Sequence, residues 1–236
     1  MNRTMWMCVL VLACGVLAAC PGAHGDLIAI DNPGFENPAL ADGEWGWSMD
    51  NQGWGYFANG GNLGPWNPTT DDYPGQAPEG LNVGWTEPGD GVPGGFAQVL
   101  TETLTAGMTY TLTVEVGDAL TYTGGGYAVQ LLAGGTPHTP GTGKDYTGPV
   151  TGGTLLAQDN NSLTIADGTF RTSTVTYTYN PALHSGLLGE RLQIRLLALH
   201  ATETEFDNVR LDAIPEPASL SVLALGGLAL LRRRRK

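Results

Sequence analysis

The sequence predicts an all-β protein, an antiparallel β-sandwich of the jelly-roll type with about nine or ten strands. Apolar residues recur at every second position in several short stretches, which is the signature of half-buried strands. Glycine and proline, 35 and 15 of the 236 residues, separate these stretches with turn signals. No long stretch has the spacing of an amphipathic helix. Many short strands with turns between them are typical of sandwiches and jelly rolls.

The individual strands follow from this alternation. In Thr109–Val116, Tyr110, Leu112 and Val114 alternate with threonines, as expected of a strand with one face in the core and one in water. Residues 174–179 and 191–196 show the same pattern. The other predicted strands are 27–30, 80–85, 96–100, 127–133, 154–158 and 205–211.

One predicted hairpin carries an insertion. The strand pattern of 127–133 ends at Gly134 and Gly135, and it resumes at Thr154. Removing the insertion would leave a Gly-Gly turn, which is a favoured two-residue hairpin connection. Residues 136–153 are therefore predicted to form an exposed loop.

The N-terminus predicts export. Residues 5–19 are almost wholly apolar and follow Arg3, so residues 1–25 are interpreted as a signal peptide. Cleavage after Gly25 and a lipobox that would place a lipid on Cys20 remain alternatives. All three cysteines lie in this leader, which excludes disulfides and thiolate metal sites from the predicted domain at 26–213.

The C-terminus, residues 214–236, has the composition of a sorting tail. Residues 218–231 carry no charge and are too short for a comfortable membrane span, which needs about 20 residues. The parts that define the signal are Pro215, Glu216, Pro217, Arg232, Arg233, Arg234, Arg235 and Lys236. The tail resembles the PEP-CTERM signal of exported bacterial proteins, which implies an apolar sorting helix, transient membrane contact and cleavage by an exosortase. The expected location is the cell surface, the outer envelope or the extracellular matrix.

The charge of the predicted domain is strongly negative. Between Pro21 and Ile214 there are five Lys or Arg residues and 22 acids, so the formal charge is −17. Such a surface repels nucleic acids and anionic membranes. It suits calcium, neutral sugars or simple solubility, and it does not decide between them.

The two ends of the predicted domain carry related motifs, Asn32–Glu36 and Phe206–Leu211. In the second motif the apolar phase changes between Phe206 and Val209, which predicts a β-bulge. These segments resemble the opening and closing strands of carbohydrate-binding modules of the galactose-binding-like type. The resemblance implies that Glu36 and Asp207 bind a structural calcium ion, for which carboxylate oxygens are suitable ligands.

Tryptophans cluster in a glycine-rich stretch, since all five of the domain lie between positions 45 and 85. Rings that stack on sugars beside polar groups are a common arrangement in binding pockets. Trp45, Trp47, Trp66 and Tyr73 are therefore predicted to contact a ligand, with a polysaccharide as the expected partner. The alternative is a small core beneath long loops, and Trp85 is assigned to the core.

Signals for catalysis are weak in the sequence. The four histidines lack metal-type spacing, and no nucleophile, phosphate-loop or dinucleotide motif is present. Carboxylate pairs such as Asp71–Asp72 and Glu203–Glu205 suit acid–base chemistry, but they are expected by chance in so acidic a chain. The first expectation is thus a glycan-binding or structural envelope protein without catalytic residues. The alternative is an enzyme, because the Gly-Phe-Glu opening and the Phe-Asp-Asn-Val-Arg-Leu ending resemble the calcium-dependent cyclases of hapalindole biosynthesis. That resemblance implies that Asp207 is a proton donor.

Overall fold

The computed structural model describes residues 25–46, 53–57, 61–89, 92–122, 124, 126–138, 149–200 and 202–216. Residues Asp26–Ala213 form one compact unit. A second unit combines Met1–Gly25 with Ile214–Lys236, and of it only residues 25 and 214–216 are described.

The described residues form two antiparallel sheets that contain eleven strands. In chain order the strands are β1 (Asp26–Ile28), β2 (Gly55–Phe57), β3 (Gly61–Trp66), β4 (Val83–Pro88), β5 (Gly94–Thr103), β6 (Met108–Asp118), β7 (Tyr127–Ala133), β8 (Thr154–Asn160), β9 (Thr169–Thr178), β10 (Arg191–Ala198) and β11 (Thr204–Pro215). A four-residue helix, α1 (Pro181–His184), and a short 3-10 turn (Ser185–Leu187) connect β9 to β10. No helix within the described ranges is long and apolar enough to cross a membrane.

Sheet A has the strand order β3-β4-β11-β6-β9, and sheet B the order β2-β5-β10-β7-β8. In sheet A, β4 pairs with the beginning of β11 and β1 pairs with its end. The first and last strands of the domain are therefore neighbours. The predicted fold class, an antiparallel jelly-roll sandwich, is confirmed.

The main core lies between the two sheets. Alternate residues of β6, from Tyr110 to Val116, face alternate residues of β10, from Leu192 to Leu196, and all are buried. Phe35 lies in this core, where it stacks on Trp54 at 5.5 Å between ring centroids and contacts Phe96 at 5.0 Å. Trp54 is thus a core residue.

A second hydrophobic cluster covers the outer face of sheet A. Directly paired residues share a face of a sheet, and Trp85 pairs with both Gly64 and Glu205 while Gly84 pairs with Phe206. Since Phe206 points into the main core, Trp85 and Glu205 point outward. The cluster consists of Trp66, Tyr73, Val83, Trp85 and Ala119. Trp85 is therefore a buried core residue, as the sequence predicts, and it lies in the apolar cluster on the outer face of this sheet.

Each of the nine predicted strands has a counterpart in the structure, although the stretch predicted at 80–85 forms a strand three residues later, at Val83–Pro88. The two strands that the sequence did not predict are β2 and β3.

The predicted hairpin is present, because Ala133 pairs with Thr154. The intervening loop is partly anchored, since Thr136 bridges Thr151 and Val150 is buried against sheet B. In β11, Asn208 has a φ of 49°, a left-handed conformation that accounts for the predicted phase change.

Candidate active site

A cleft of about 420 Å³ opens on the outer face of sheet A. Its floor comes from β3, β4 and the residues just before β11, and loops complete its walls. The residues that line it are Gly43, Trp45, Asn62, Trp66, Thr69, Asp72, Trp85, Glu87, Thr121, Tyr122 and Glu203. It thus combines aromatic rings with three carboxyl groups.

Backbone pairing positions the aromatic wall. Trp45 forms an isolated antiparallel bridge with Trp66, supported by hydrogen bonds from Gly46 N to Pro65 O and from Asn67 N to Glu44 O, both 2.9 Å. The segment around Trp45 therefore lies along the edge of β3. The ring of Trp45 meets that of Trp85 edge-to-face at 6.0 Å, the favoured geometry for aromatic pairs. Trp45 remains 52% exposed, so its ring is available to a ligand.

The loops are fixed to one another through Asp72. One carboxylate oxygen, Oδ2, accepts hydrogen bonds from the backbone N–H of Thr69 (3.2 Å) and from its hydroxyl (2.8 Å). The other, Oδ1, accepts a hydrogen bond from the Thr121 hydroxyl at 2.5 Å. Asp72 therefore links the loop after β3 to the loop after β6 at the wall of the cleft.

A buried polar chain lies behind the cleft. The hydroxyl of Tyr73 donates a hydrogen bond of 2.6 Å to Oε2 of Glu205, and both residues are fully buried. Gly117 of β6 makes this approach possible, because a Cβ at that position would come within 2.5 Å of the Tyr73 hydroxyl oxygen. The other oxygen of Glu205, Oε1, has no N–H or O–H donor among the described residues. The carboxyl groups of Glu205 and Glu203 are close enough to interact electrostatically.

Burial raises the pKa of Glu205 well above its usual value, and the charge of Glu203 raises it further. Burial therefore favours the protonated form of Glu205. Burial also raises the pKa of Glu203 to about 7, and the charges of Glu87 and Asp72 add to this effect. Glu203 faces the cleft, so the site holds an acid that titrates near neutral pH.

The predicted calcium ligands lie together but outside the cleft. Glu36 Oε1 accepts hydrogen bonds from the backbone N–H groups of Leu81 and Asn82, each 2.8 Å. Asp207 Oδ2 accepts one of 2.8 Å from the backbone N–H of Glu79. Burial, with the charges of Glu79 and Glu36, raises the pKa of Asp207 to about 8. Within the described part of the chain, no group of three or more acidic, His or Cys side chains is arranged to hold a metal ion.

The remaining predicted ligand contacts divide into three groups. Trp45 and Trp66 line the cleft, whereas Tyr73 lies beneath it and contacts Glu205 instead of open space. Trp47 lies outside the described residues, as do Pro217 and Arg232–Arg235 of the tail. Glu87 and Tyr122 also line the cleft and were not predicted from the sequence. Glu87 could have been predicted as a site residue, because it follows Trp85 by two positions and therefore lies on the same face of the strand.

Comparisons with known proteins agree with these observations. The family model described as HpiC1 cyclase matches residues 26–146 and 149–212, and the PEP-CTERM protein-sorting motif matches residues 213–236. No protein with a curated description matches the chain in sequence. The sorting motif identifies an exported, surface-associated protein.

Solved structures extend the comparison. The Stig cyclase Fisc from Fischerella sp. TAU, in complex with (3Z)-3-(1-methyl-2-pyrrolidinylidene)-3H-indole, is 30% identical, with a TM-score of 0.66 and coverage of 81% of this chain and 99% of the cyclase. A Fischerella sp. TAU cyclase in complex with 4-(1H-indol-3-yl)butan-2-one is 31% identical, with a TM-score of 0.63 and coverage of 80% and 98%. The CBM22-1 xylan-binding domain of Paenibacillus barcinonensis Xyn10C has 13% identity, a TM-score of 0.46 and coverage of 82% and 98%, and it is too distant to indicate a ligand.

The expectation of a protein without catalytic function is wrong, because both the family match and these crystal structures point to a cyclase. The resemblance to the cyclases of hapalindole biosynthesis, the alternative in the sequence analysis, was the better interpretation. The chain belongs to the HpiC1-like cyclase family.

Proposed function

We propose that this protein is an exported cyclase that converts a small unsaturated aromatic compound into a cyclic isomer, with Glu203 as the proton donor. The observation that carries the proposal is the position of Glu203, which lines a cleft with three tryptophans and interacts with the buried carboxyl group of Glu205. A general acid works best when its pKa lies near the working pH. Glu203, with a pKa of about 7, meets this condition.

The reaction needs no oxidant or reductant. Glu203 gives its proton to an unsaturated carbon of the substrate, which becomes a cation. A second π-bond of the same molecule attacks that cation, so one carbon–carbon bond forms. A neighbouring carbon then loses a proton, and the carboxylate of Glu203 accepts it. The product has the same atoms as the substrate, and the enzyme returns to its starting state.

The other residues of the cleft have supporting roles. Aromatic faces attract cations, so Trp45, Trp66 and Trp85 would stabilise the charged intermediate while excluding water. Tyr73 and Glu205 act as positioning residues, because they hold the Glu203 carboxyl from behind. Asp207 is not a lining residue of the cleft, which argues against its role as the proton donor.

An indole is the substrate class that this proposal favours. Both Fischerella structures contain indole compounds, and the tryptophan-lined cleft can accommodate a flat bicyclic ring. The likeness to a xylan-binding module is too remote to support binding of a polysaccharide.

Calcium remains a proposal for the site at the ends of the domain. Glu36, Glu79 and Asp207 supply carboxylate oxygens to the same segment, and the pKa of Asp207 is raised partly by the other two charges. Gly34 leaves room there, since a Cβ would meet Glu79 Oε2 and approach Asp207 Oδ1 to 3.6 Å. Carboxylate oxygens are the ligands that calcium prefers, and binding would require the three side chains to move together, since in this arrangement they do not form a metal-binding group. When bound, the ion would neutralise the repulsion among these three carboxylates and join the two ends of the domain.

The terminal segments complete the proposal. Residues 1–25 direct export, residues 26–213 form the catalytic domain, and residues 214–236 are removed by an exosortase after transient contact with the membrane. The PEP-CTERM match supports the last step. Cyclisation would then take place at the cell surface or in the extracellular matrix.

The test is turnover of indoles that carry an unsaturated side chain, followed by liquid chromatography and mass spectrometry. The purified protein should produce a compound of unchanged mass and new retention time. In D2O the product should contain one deuterium, because Glu203 exchanges its proton with the solvent. Glu203→Gln should abolish formation of this product, and Glu115→Gln, on the exposed part of the same sheet, should not. Binding of such indoles without any isomer formation would contradict the proposal.

A further inference from the structure

The two sides of the cleft come from different parts of sheet A. The three tryptophans belong to β3, β4 and the segment that pairs with β3, whereas Thr121 and Tyr122 belong to the loop that follows β6. β11 lies between β4 and β6 in the sheet, and Glu203 directly precedes β11. The proposed acid therefore lies between the tryptophans on the β3 side and Tyr122 on the β6 side.

The loop after β6 is held through the two residues that precede Tyr122. The backbone N–H of Leu120 donates a hydrogen bond of 3.2 Å to the carbonyl oxygen of Asp72. The hydroxyl group of Thr121 donates one of 2.5 Å to Oδ1 of the same residue. Asp72 thus fixes this loop from the side of the cleft.

The carboxylate of Asp72 is itself held in one orientation. Its Oδ2 atom accepts hydrogen bonds from the backbone N–H and the hydroxyl group of Thr69. The backbone N–H groups of Asp72 and Tyr73 both donate to the carbonyl oxygen of Thr69, at 3.1 and 3.0 Å. Hydrogen bonds to an ionised acceptor are stronger than those between neutral groups. The position of Thr121 therefore follows from that of the turn at residues 69–73.

The ring of Tyr122 has no such support of its own. Its side chain is 52% exposed, and it makes no hydrogen bond or ring contact with another part of the chain that the structure describes. The next anchor of the loop is Gly124, whose N–H donates to Oδ1 of Asp118 at 2.8 Å. The place of the ring is thus set through the backbone, chiefly by the bond between Thr121 and Asp72.

Water is the competing reactant that this side of the cleft would exclude. In the proposed reaction the substrate becomes a cation. If a water molecule reaches it, the water oxygen forms a bond to the charged carbon and loses a proton to the carboxylate of Glu203. The product is then an alcohol, heavier than the substrate by one water, and no carbon–carbon bond forms.

We infer that Asp72 is a positioning residue, which acts through the Thr121 hydroxyl to hold the Tyr122 ring at the β6 side of the cleft and so keeps water from the cation. This inference rests on the proposed function and adds to it a control over the product. The ratio of alcohol to cyclic isomer measures that control, because the ratio does not depend on the amount of folded protein.

The experiment uses 3-(4-methylpent-3-enyl)indole as the probe. Protonation of its side-chain double bond gives a tertiary cation, and attack by C2 of the indole closes a six-membered ring. Liquid chromatography and mass spectrometry separate this isomer from the alcohol. Thr121→Val removes the hydroxyl group and keeps the shape of the side chain, so the ratio of alcohol to isomer should rise about tenfold. This factor corresponds to about 1.4 kcal/mol, near the lower end of the range for a hydrogen bond to a charged group.

Further variants assign the effect to the bond and to the ring. Thr121→Ser restores a hydroxyl donor and should return the ratio to that of the unmodified protein. Tyr122→Ala should raise the ratio, and Tyr122→Phe, which keeps the ring, should not. Thr172→Val is the matched control, because Thr172 donates a similar hydrogen bond of 2.7 Å to Glu115 on the outward face of the same sheet. It should leave the ratio unchanged.

The outcomes separate this inference from the proposed function. An unchanged ratio in Thr121→Val or in Tyr122→Ala would overturn the inference and leave the proposed cyclase intact. A rise that Thr121→Ser does not reverse, or an equal rise in Thr172→Val, would also overturn it, since the hydroxyl of Thr121 would not be the specific cause. If the unmodified protein forms neither isomer nor alcohol, the proposed function fails and the inference fails with it.

Discussion

Replacing Glu203 by Gln is the most specific test of its proposed role as the proton donor. Glutamine keeps the size of the side chain and removes the acidic proton. Loss of a general acid costs about 10²- to 10⁴-fold in rate, so cyclisation should fall by that factor. Binding of a neutral indole should persist, because the aromatic walls are unchanged.

The pKa of Glu203 sets the expected size of the change in activity with pH. The pKa of Glu203 is raised to about 7, and the protonated form is the active one. About nine-tenths of the protein is then active at pH 6, half at pH 7 and about one-tenth at pH 8. kcat/KM should therefore decline about tenfold for each pH unit above 7, since this parameter reports the acid of the free enzyme.

A second variant locates the cause of that pKa. The charge of Glu87 raises the pKa of Glu203, so Glu87→Gln should move the decline of kcat/KM to lower pH. The assay is the initial rate of isomer formation between pH 5 and pH 9, with Glu115→Gln as the control for a change in net charge. A profile that is flat across pH 7, or full activity in Glu203→Gln, would refute the reasoning.

Four further predictions concern other parts of the molecule. Tyr73→Phe leaves Oε2 of buried Glu205 without its donor, so the free energy of unfolding, measured with urea, should fall by about 1–3 kcal/mol; an unchanged value would show that the bond is not needed. Trp85→Ala should lower the free energy of unfolding by about 3–5 kcal/mol because the ring is buried. Trp45 is exposed, so Trp45→Ala should weaken indole binding with little change in stability. A larger loss of stability in Trp45→Ala than in Trp85→Ala would contradict the geometry. Calcium at a hundredfold excess over its Kd should stabilise the protein by about 2.7 kcal/mol, and Asp207→Asn should remove this gain; an equal melting temperature with and without chelator would exclude the site. Mass spectrometry of the mature protein from its host should find no Arg232–Lys236 terminus, and an intact terminus at the cell surface would contradict tail removal.

The pKa of Asp207 adds a pH dependence to the calcium prediction. Its folded-state value of about 8 lies above the ordinary value of 3.8, so the folded protein holds this proton more strongly than the unfolded chain. The associated stability is fully present below about pH 4 and is lost as the pH rises through about 8. In chelator, thermal stability should therefore decrease across this range, and calcium should reduce the decrease by neutralising the carboxylate. A stability that rises with pH in chelator would contradict the assignment.

Regular alternation is the part of the fold that the sequence reveals. β6 and β9 have one face in the core and one in water, so their period of two is visible in the chain. β3 was not predicted because Gly61, Gly64 and Pro65 interrupt any alternation. In addition, Leu63 packs in the main core and Trp66 in the second cluster, so apolar residues lie on both faces of the strand. Because most of this strand is covered on both faces, it lacks the regular polar face that would mark its period.

Only part of the candidate site could be predicted from the sequence, because some of its residues are brought together only by the fold. The tryptophans cluster along the chain, so Trp45 and Trp66 could be selected from the sequence. The contact between Tyr73 and Glu205 joins residues 132 positions apart, and no local pattern encodes it. Glu203 and Glu205 were recognisable as a pair, but only the fold shows that one is buried and the other faces a cleft. Their different environments, not their spacing, give them different protonation states.

A crystal structure of the protein with a bound indole ligand is the most direct test of the cleft as the active site. The ring should lie between Trp45 and Trp85, with its reactive side chain within hydrogen-bonding distance of Glu203. Binding of the ring on another surface, with an empty cleft and Glu203 in contact only with water, would contradict the account.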